Sequence, residues 1–73
     1  MNKEYLQKFG KHLRKIRKSK GFVQEDFTGD EGEGISRSMI GMLETARTDL
    51  TLTTLKIIAD ALEVKPKDLL DFE

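Results

Sequence analysis

The 73-residue chain contains no cysteine, a single histidine and a single proline, and its formal net charge is zero. Without cysteine it can form neither a disulfide framework nor a thiolate metal site, and this composition suits a reducing cytosol. Its longest apolar runs, such as residues 57–59, are far too short to span a bilayer, and its N-terminus lacks the apolar region of a signal peptide. We therefore expect a soluble, cytoplasmic protein.

A chain of this length predicts a single domain, residues 1–73, with a small hydrophobic core. Domains of about this size bury only about 60% of the surface that the unfolded chain exposes, so their stability is marginal. Assembly into an oligomer would add to it.

The net charge of zero argues by itself against a nucleic-acid-binding protein, but the charges are segregated along the chain. Residues 1–20 contain eight basic residues and one acid, whereas residues 21–34 contain five acids and no basic residue. Residues 35–49 are balanced, and residues 50–73 carry a net charge of −2. A chain of this kind can present one basic face while being neutral overall, and the local field is what attracts a polyanion.

Apolar residues recur at steps of three and four along most of the chain, which predicts helices, and no useful length alternates with the period of two that typifies strands. The prediction is an all-α fold of five short helices around one core, over residues 3–20, 23–29, 36–45, 52–62 and 66–71. The inward positions of the first, third and fourth helices are Leu6, Phe9, Leu13, Ile16, Ile40, Leu43, Leu52, Leu55, Ile58, Ala59 and Leu62.

Several helix ends are marked by the residues that commonly occupy them. Gly21 follows the first helix as a C-terminal stop, and Ser36 and Thr51 are good N-caps for the third and fourth helices. Pro66 fits the first position of the last helix, where its missing N–H does no harm. Gly41, inside the third helix, indicates either close approach of another backbone or simply a weak helix.

Two short helices joined by a turn, the second opened by a serine, follow the helix-turn-helix plan. The sequence resembles the Cro and phage-repressor family of bacterial and phage transcription factors, often called the XRE family, which has a lambda-repressor-like domain. The matching segments are "FGKHLRKIRKSKG" (9–21), "QED" (24–26), "ISRSMIGMLE" (35–44) and "TLTTLKIIADALEV" (51–64) followed by "KPKDLL". They cover nearly the whole chain, and their order and spacing are more specific than any one of them. Small restriction–modification controller proteins belong to this group and have a similar size.

The resemblance implies sequence-specific binding to double-stranded DNA by a homodimer on a palindromic operator, with the 36–44 helix in the major groove. The implied base contacts are Arg37, Ser38 and Met42, and the implied phosphate contacts are Gln24, Ser36, Arg47 and Thr48. A guanidinium can bind guanine O6 and N7 bidentately, whereas serine reaches several bases and methionine offers only apolar contact. Arg37 is thus the best candidate for base recognition, with a phosphate contact or a free surface position as its alternatives.

The resemblance also implies two structural features. Arg17 and Glu44 match a pair that forms an ion pair between the first and third helices, so Arg17 is interpreted as a brace rather than a DNA ligand. The C-terminal helix is the candidate dimer interface, through Leu69, Leu70 and Phe72. The alternative for these three apolar residues is a place in the core of their own chain.

The chain departs from the family pattern around its turn. Val23 stands where serine or threonine usually caps the second helix, which removes about 1 kcal/mol of capping. Residues 28–34 form a glycine-rich, acidic turn about two residues longer than the common spacing. A second hypothesis follows from this turn, namely that the domain is a protein-interaction module, antitoxin-like or anti-repressor, whose protein partner binds there.

Catalysis and metal binding are not indicated by the sequence. The single histidine, His12, has no carboxylate or nucleophile partner that the sequence identifies, and it is interpreted as a surface residue. The segment "DEGEG" lacks the alternating ligands and the distal glutamate of an EF-hand, and no lysine follows the glycines as in a Walker loop. The sequence therefore predicts a non-enzymatic protein without a cofactor.

Overall fold

The computed structural model describes residues 3–27 and 34–72. Within these ranges the chain forms no β-strand and has four α-helices: α1 (Lys3–Ser19), α2 (Arg37–Glu44), α3 (Leu52–Leu62) and α4 (Pro66–Leu69). A short 3-10 turn (Gln24–Asp26) lies between α1 and α2. The predicted all-helical class is confirmed. None of these helices is both long and apolar enough to cross a membrane.

The prediction of five α-helices was wrong, because the helix expected over residues 23–29 is only the 3-10 turn. Val23 offers no side-chain oxygen for capping, and the Asp26 carboxylate instead accepts the N–H of Val23 at 2.8 Å. Phe27 then adopts an extended conformation that ends the turn, and the remainder of the predicted helix lies outside the described residues. The last helix is also shorter than predicted, since α4 ends at Leu69 rather than at residue 71.

The hydrophobic core contains residues of all four helices, together with Phe27 and Ile35 from the segments before and after residues 28–33. Its largest fully buried side chains are Phe9, Leu13, Ile40, Leu43, Ile58, Leu62 and Leu69. Leu52 is the exception to the predicted inward positions, because it is 83% exposed. It is the first residue of α3, so its direction matches the buried stripe, but it stands at the end of the helix, three residues before the first buried position, Leu55.

α1 and α2 come into close backbone contact at Gly10. A Cβ atom at this position would lie 2.6 Å from the carbonyl oxygens of both Leu43 and Glu44, so a side chain is excluded unless backbone moves. At Gly41, by contrast, a Cβ atom would meet only the side-chain amide of Gln24, at 3.9 Å. Close approach of another backbone was one of the two interpretations of Gly41. The structure shows such an approach at Gly10 instead.

The ends of the longer helices are closed by regular caps. Ser36 and Thr51 accept hydrogen bonds from the amides of Met39 and Thr54, which confirms both predicted N-caps. α1, α2 and α3 each end with the paired backbone hydrogen bonds of a Schellman motif. The residues in the left-handed conformation at these ends are Gly21, Ala46 and Glu63, so glycine occupies this position only after α1.

The segment that follows α4 folds back onto α1. The ring of Phe72 packs against three rings of α1, those of Tyr5, Phe9 and His12, with centroid distances of 5.1, 6.4 and 5.6 Å. His12 Nε2 donates to the carbonyl oxygen of Asp68 at 2.8 Å. His12 thus links both α4 and the residues that follow it to α1, a role that the sequence did not indicate.

Candidate nucleic-acid interface

A buried ion pair fixes α2 against α1. Arg17 Nε donates to Glu44 Oε2 at 2.6 Å, and Arg17 Nη2 donates to Glu44 Oε1 at 3.2 Å, which is the predicted brace. The two side chains are only 6% and 3% exposed. Arg17 Nη1 also donates to the carbonyl oxygen of Phe22, so the same guanidinium holds the segment that leads into the 3-10 turn. Such pairing and hydrogen bonding are what a buried charge requires.

Glu44 also connects this brace to the 3-10 turn. Its Oε1 accepts a hydrogen bond of 3.1 Å from Gln24 Nε2, and the Gln24 amide lies over Gly41 of α2. Because a primary amide has two N–H groups, Gln24 retains one donor for a ligand. The brace therefore positions the side chain that was predicted to contact phosphate.

α2 presents two faces that differ in character. Ile40 and Leu43 are buried in the core, and Ser36 caps the N-terminus through its Oγ. Ser38 lies about half a turn away from the buried pair, Arg37 is the first residue of the helix, and both are exposed as predicted. The helix is anchored on one side and free to contact a ligand on the other.

A surface groove runs along the free face of α2. Seven residues line it: Gln24, Arg37, Ser38, Gly41, Met42, Thr45 and Arg47. Five of them are predicted DNA contacts from three separate segments, and the fold brings them together. The other two predicted contacts, Ser36 and Thr48, are half-buried and lie outside this lining.

Sequence reasoning missed two residues that line the groove, Gly41 and Thr45. The Thr45 hydroxyl donates to the carbonyl oxygen of Gly41 at 2.8 Å, at the end of α2. The spacing Ser38, Met42, Thr45 is a four- and three-residue step along one face, so the helical period could have identified Thr45.

Arg37 has a partner that the sequence did not suggest. Its Nη1 lies 3.8 Å from Glu25 Oε2 of the 3-10 turn, and both side chains are largely exposed, at 62% and 70%. This contact places an acidic group beside the main candidate for base recognition.

The C-terminal residues divide between core and surface. Leu69 is fully buried within its own chain, so it offers no surface to a second subunit, and its core alternative is correct. Phe72 is half-buried against the rings of α1, whereas Leu70 is 41% exposed. Of the three predicted dimer contacts, Leu70 presents the most surface.

The acidic turn over residues 28–34 lies outside the described residues, apart from Gly34. Among the residues that the structure describes, no three histidine, cysteine, aspartate or glutamate side chains are grouped so that they could hold a metal ion.

Comparison with known proteins places this fold in a family. A helix-turn-helix family model matches residues 13–69. The control protein C.BamHI of Bacillus amyloliquefaciens is 36% identical over 64 residues, which cover 88% of this chain and 78% of that protein.

Two solved structures are similar to this chain. One is the restriction–modification controller protein C.AhdI from Aeromonas hydrophila, with a TM-score of 0.76, 34% identity, and coverage of 88% of this chain and 94% of that one. The other is the DNA-binding domain of BldD, with a TM-score of 0.82, 26% identity, and coverage of 96% and 99%. The chain therefore belongs to the XRE-type helix-turn-helix family, a family of DNA-binding transcription regulators rather than enzymes.

Proposed function

We propose that the chain is a sequence-specific, duplex-DNA-binding regulator of the restriction–modification controller type, which acts as a homodimer on a palindromic operator. The observation that carries this proposal is the groove along α2, which gathers five of the seven predicted DNA contacts. The similarity of this chain to two control proteins, each over 88% of its length, supports the controller type. We further propose that residues 1–73 form one domain, because all four described helices contribute to one core.

In the proposed complex, α2 enters the major groove with its N-terminal turn first. Arg37, the first residue of this helix, binds guanine O6 and N7. Ser38 donates to or accepts from a neighbouring base edge, and Met42 contacts a thymine methyl group one turn further along. Arg37 supplies most of the sequence discrimination, because a bidentate contact is worth about 1–3 kcal/mol against the wrong base.

Phosphate contacts flank these base contacts and fix the position of the domain on the duplex. Gln24 uses the amide N–H that Glu44 leaves free, and Ser36 uses its hydroxyl hydrogen, since its oxygen already accepts from Met39. Arg47 and Thr48 follow the last turn of α2 and contact the phosphate backbone of the DNA beside the major groove. Of these four residues Arg47 alone carries positive charge, so it contributes most to the salt dependence of binding.

The proposed dimer places two copies of α2 about one helical turn of DNA apart, which a palindromic operator requires. Its contact is built around the surface of α4 and the residues after it, with Leu70 as the apolar anchor and Phe72 beside it. Leu69 supports this surface from within the core. Leu70→Glu should lower the self-association measured by analytical ultracentrifugation and leave the helical circular dichroism signal unchanged.

Selection of bound duplexes from random-sequence DNA tests the proposal. Recovery of a palindromic consensus, with affinity that falls steeply as salt rises, supports it. Arg37→Ala should still bind but should select a relaxed consensus. Failure of the wild-type chain to shift any duplex at low salt would refute DNA binding and favour the protein-interaction hypothesis, and a stoichiometric protein recovered by pull-down would then support that hypothesis.

A further inference from the structure

The contact between Glu25 and Arg37 joins the 3-10 turn to the first residue of α2. Arg37 Nη1 lies 3.8 Å from Glu25 Oε2, which is an ion pair at a distance longer than a hydrogen bond. Both side chains are largely exposed, so neither is needed to fill the core. A role in stability would be small, because exposed pairs contribute little to folding.

The position of Arg37 makes this acid electrostatically significant. Arg37 occupies the N-terminal end of α2, where the helix dipole is positive, and α2 has no acidic residue of its own in its first turn. An arginine there is in an unfavourable field unless an anion is near. Glu25 supplies that anion from the adjacent turn and lowers the local positive potential.

The geometry of a guanidinium allows a carboxylate and a base to share it. Arginine has five N–H donors in one plane, and its terminal nitrogen Nη1 lies 3.8 Å from the Glu25 carboxylate, a distance longer than a hydrogen bond. Because this contact is longer than a hydrogen bond, it leaves the guanidinium donors available for guanine O6 and N7. An arginine with a carboxylate beside it retains its hydrogen-bonding fork but attracts a phosphate less strongly.

We infer that Glu25 is a specificity-determining residue, which orients Arg37 for a guanine edge and keeps it from binding phosphates at random sequence. This inference rests on the proposed function and assigns a further residue to the same site. It predicts that the loss of the Glu25 carboxylate raises nonspecific affinity and lowers the advantage of the specific site. The ratio of specific to nonspecific affinity should fall by about two- to fivefold, the range that a surface ion pair supports.

The experiment compares wild-type protein with Glu25→Gln, Arg37→Ala and the double variant. The probes are the duplex recovered by selection with the wild-type chain and a scrambled duplex of equal length and composition, measured at one salt concentration. Glu4→Gln is the matched control, because it removes the same charge from an exposed position in the first turn of α1. Thermal melts confirm that each variant is folded.

A fall of the affinity ratio in Glu25→Gln, absent from Glu4→Gln and absent when Arg37 is already alanine, supports the inference. An unchanged or increased ratio would overturn it, as would equal gains on both duplexes, which indicate a general charge effect. Persistence of the effect in the Arg37→Ala background would also overturn it. If the wild-type chain recovers no consensus at all, the proposed function itself fails, and this outcome is distinct from the others.

Discussion

Replacement of Gly10 by alanine tests the close backbone contact between α1 and α2. The added Cβ atom would lie 2.6 Å from two carbonyl oxygens of α2 and 2.9 Å from the carbonyl carbon of Glu44. Ordinary contacts begin at 3.4 Å, so α1 and α2 must separate by on the order of 0.8 Å. The obstacle is backbone in the last turn of a helix, so it cannot be relieved by rotation of a side chain.

Two opposing effects determine how much Gly10→Ala changes the free energy of unfolding. Alanine favours the helical state over glycine by about 1 kcal/mol, which stabilises α1. Overpacking costs about 1–3 kcal/mol and occasionally more, and here the shift also strains the buried Arg17–Glu44 pair, so we place its cost at about 2–4 kcal/mol. The net loss should be about 1–3 kcal/mol. For a domain of this size that corresponds to a fall of the melting temperature by roughly 5–20 °C.

Thermal unfolding followed by circular dichroism measures this difference, at one protein concentration because assembly would shift the transition. Gly41→Ala is the matched control, since it adds the same methyl group to α2 where the nearest atom is 3.9 Å away. It should gain about 0.5–1 kcal/mol from helix propensity. A melting temperature for Gly10→Ala equal to or above that of the wild-type chain would refute the close-contact argument.

Three further predictions concern stability and binding. Arg17→Ala should lose roughly 3–5 kcal/mol, because it leaves Glu44 buried and unpaired, while Lys18→Ala should change little; equal melting temperatures would rule out the brace. Glu63→Gly should raise the free energy of unfolding, measured by urea denaturation, by about 0.5–1 kcal/mol. Glycine removes the strain of the left-handed conformation at this position, and the greater conformational entropy that it gives the unfolded chain offsets part of this gain; a lower free energy of unfolding would contradict this reasoning. Arg47→Gln should weaken all duplexes alike and reduce the salt slope of a dimer by about 2, and an unchanged slope would exclude its phosphate contact.

The helical periods were strong enough to predict most of the fold. Runs such as Leu55, Ile58, Ala59 and Leu62 can be buried together only on a helix, so the type and the approximate bounds of α1, α2 and α3 followed from spacing. The helix prediction was wrong in a segment to which side-chain packing contributes little energy. The 3-10 turn has no apolar stripe and no side-chain cap at Val23, and nothing in its local sequence could decide between an α-helix and a single turn.

The candidate interface was predicted in outline rather than in its contacts. The outward direction of Ser38 and Met42 follows from the inward positions of α2, whereas Arg37 was identified from the family resemblance and its place at the start of the helix. The link from Gln24 to Glu44 and the pair between Glu25 and Arg37 join segments that are 20 and 12 residues apart. Such contacts depend on how helices are placed in space, which no local pattern encodes.

The helical class, the buried stripes, the caps at Ser36 and Thr51, and the polar face of α2 could all be predicted from the amino-acid sequence, because each depends on interactions within a few residues. The packing of the helices was needed to show that Gly10 rather than Gly41 is a point of close approach, that Leu69 is core while Leu70 is surface, and that an acid lies beside Arg37. The physical reason is that excluded volume and charge act through space, between side chains that the fold alone brings together.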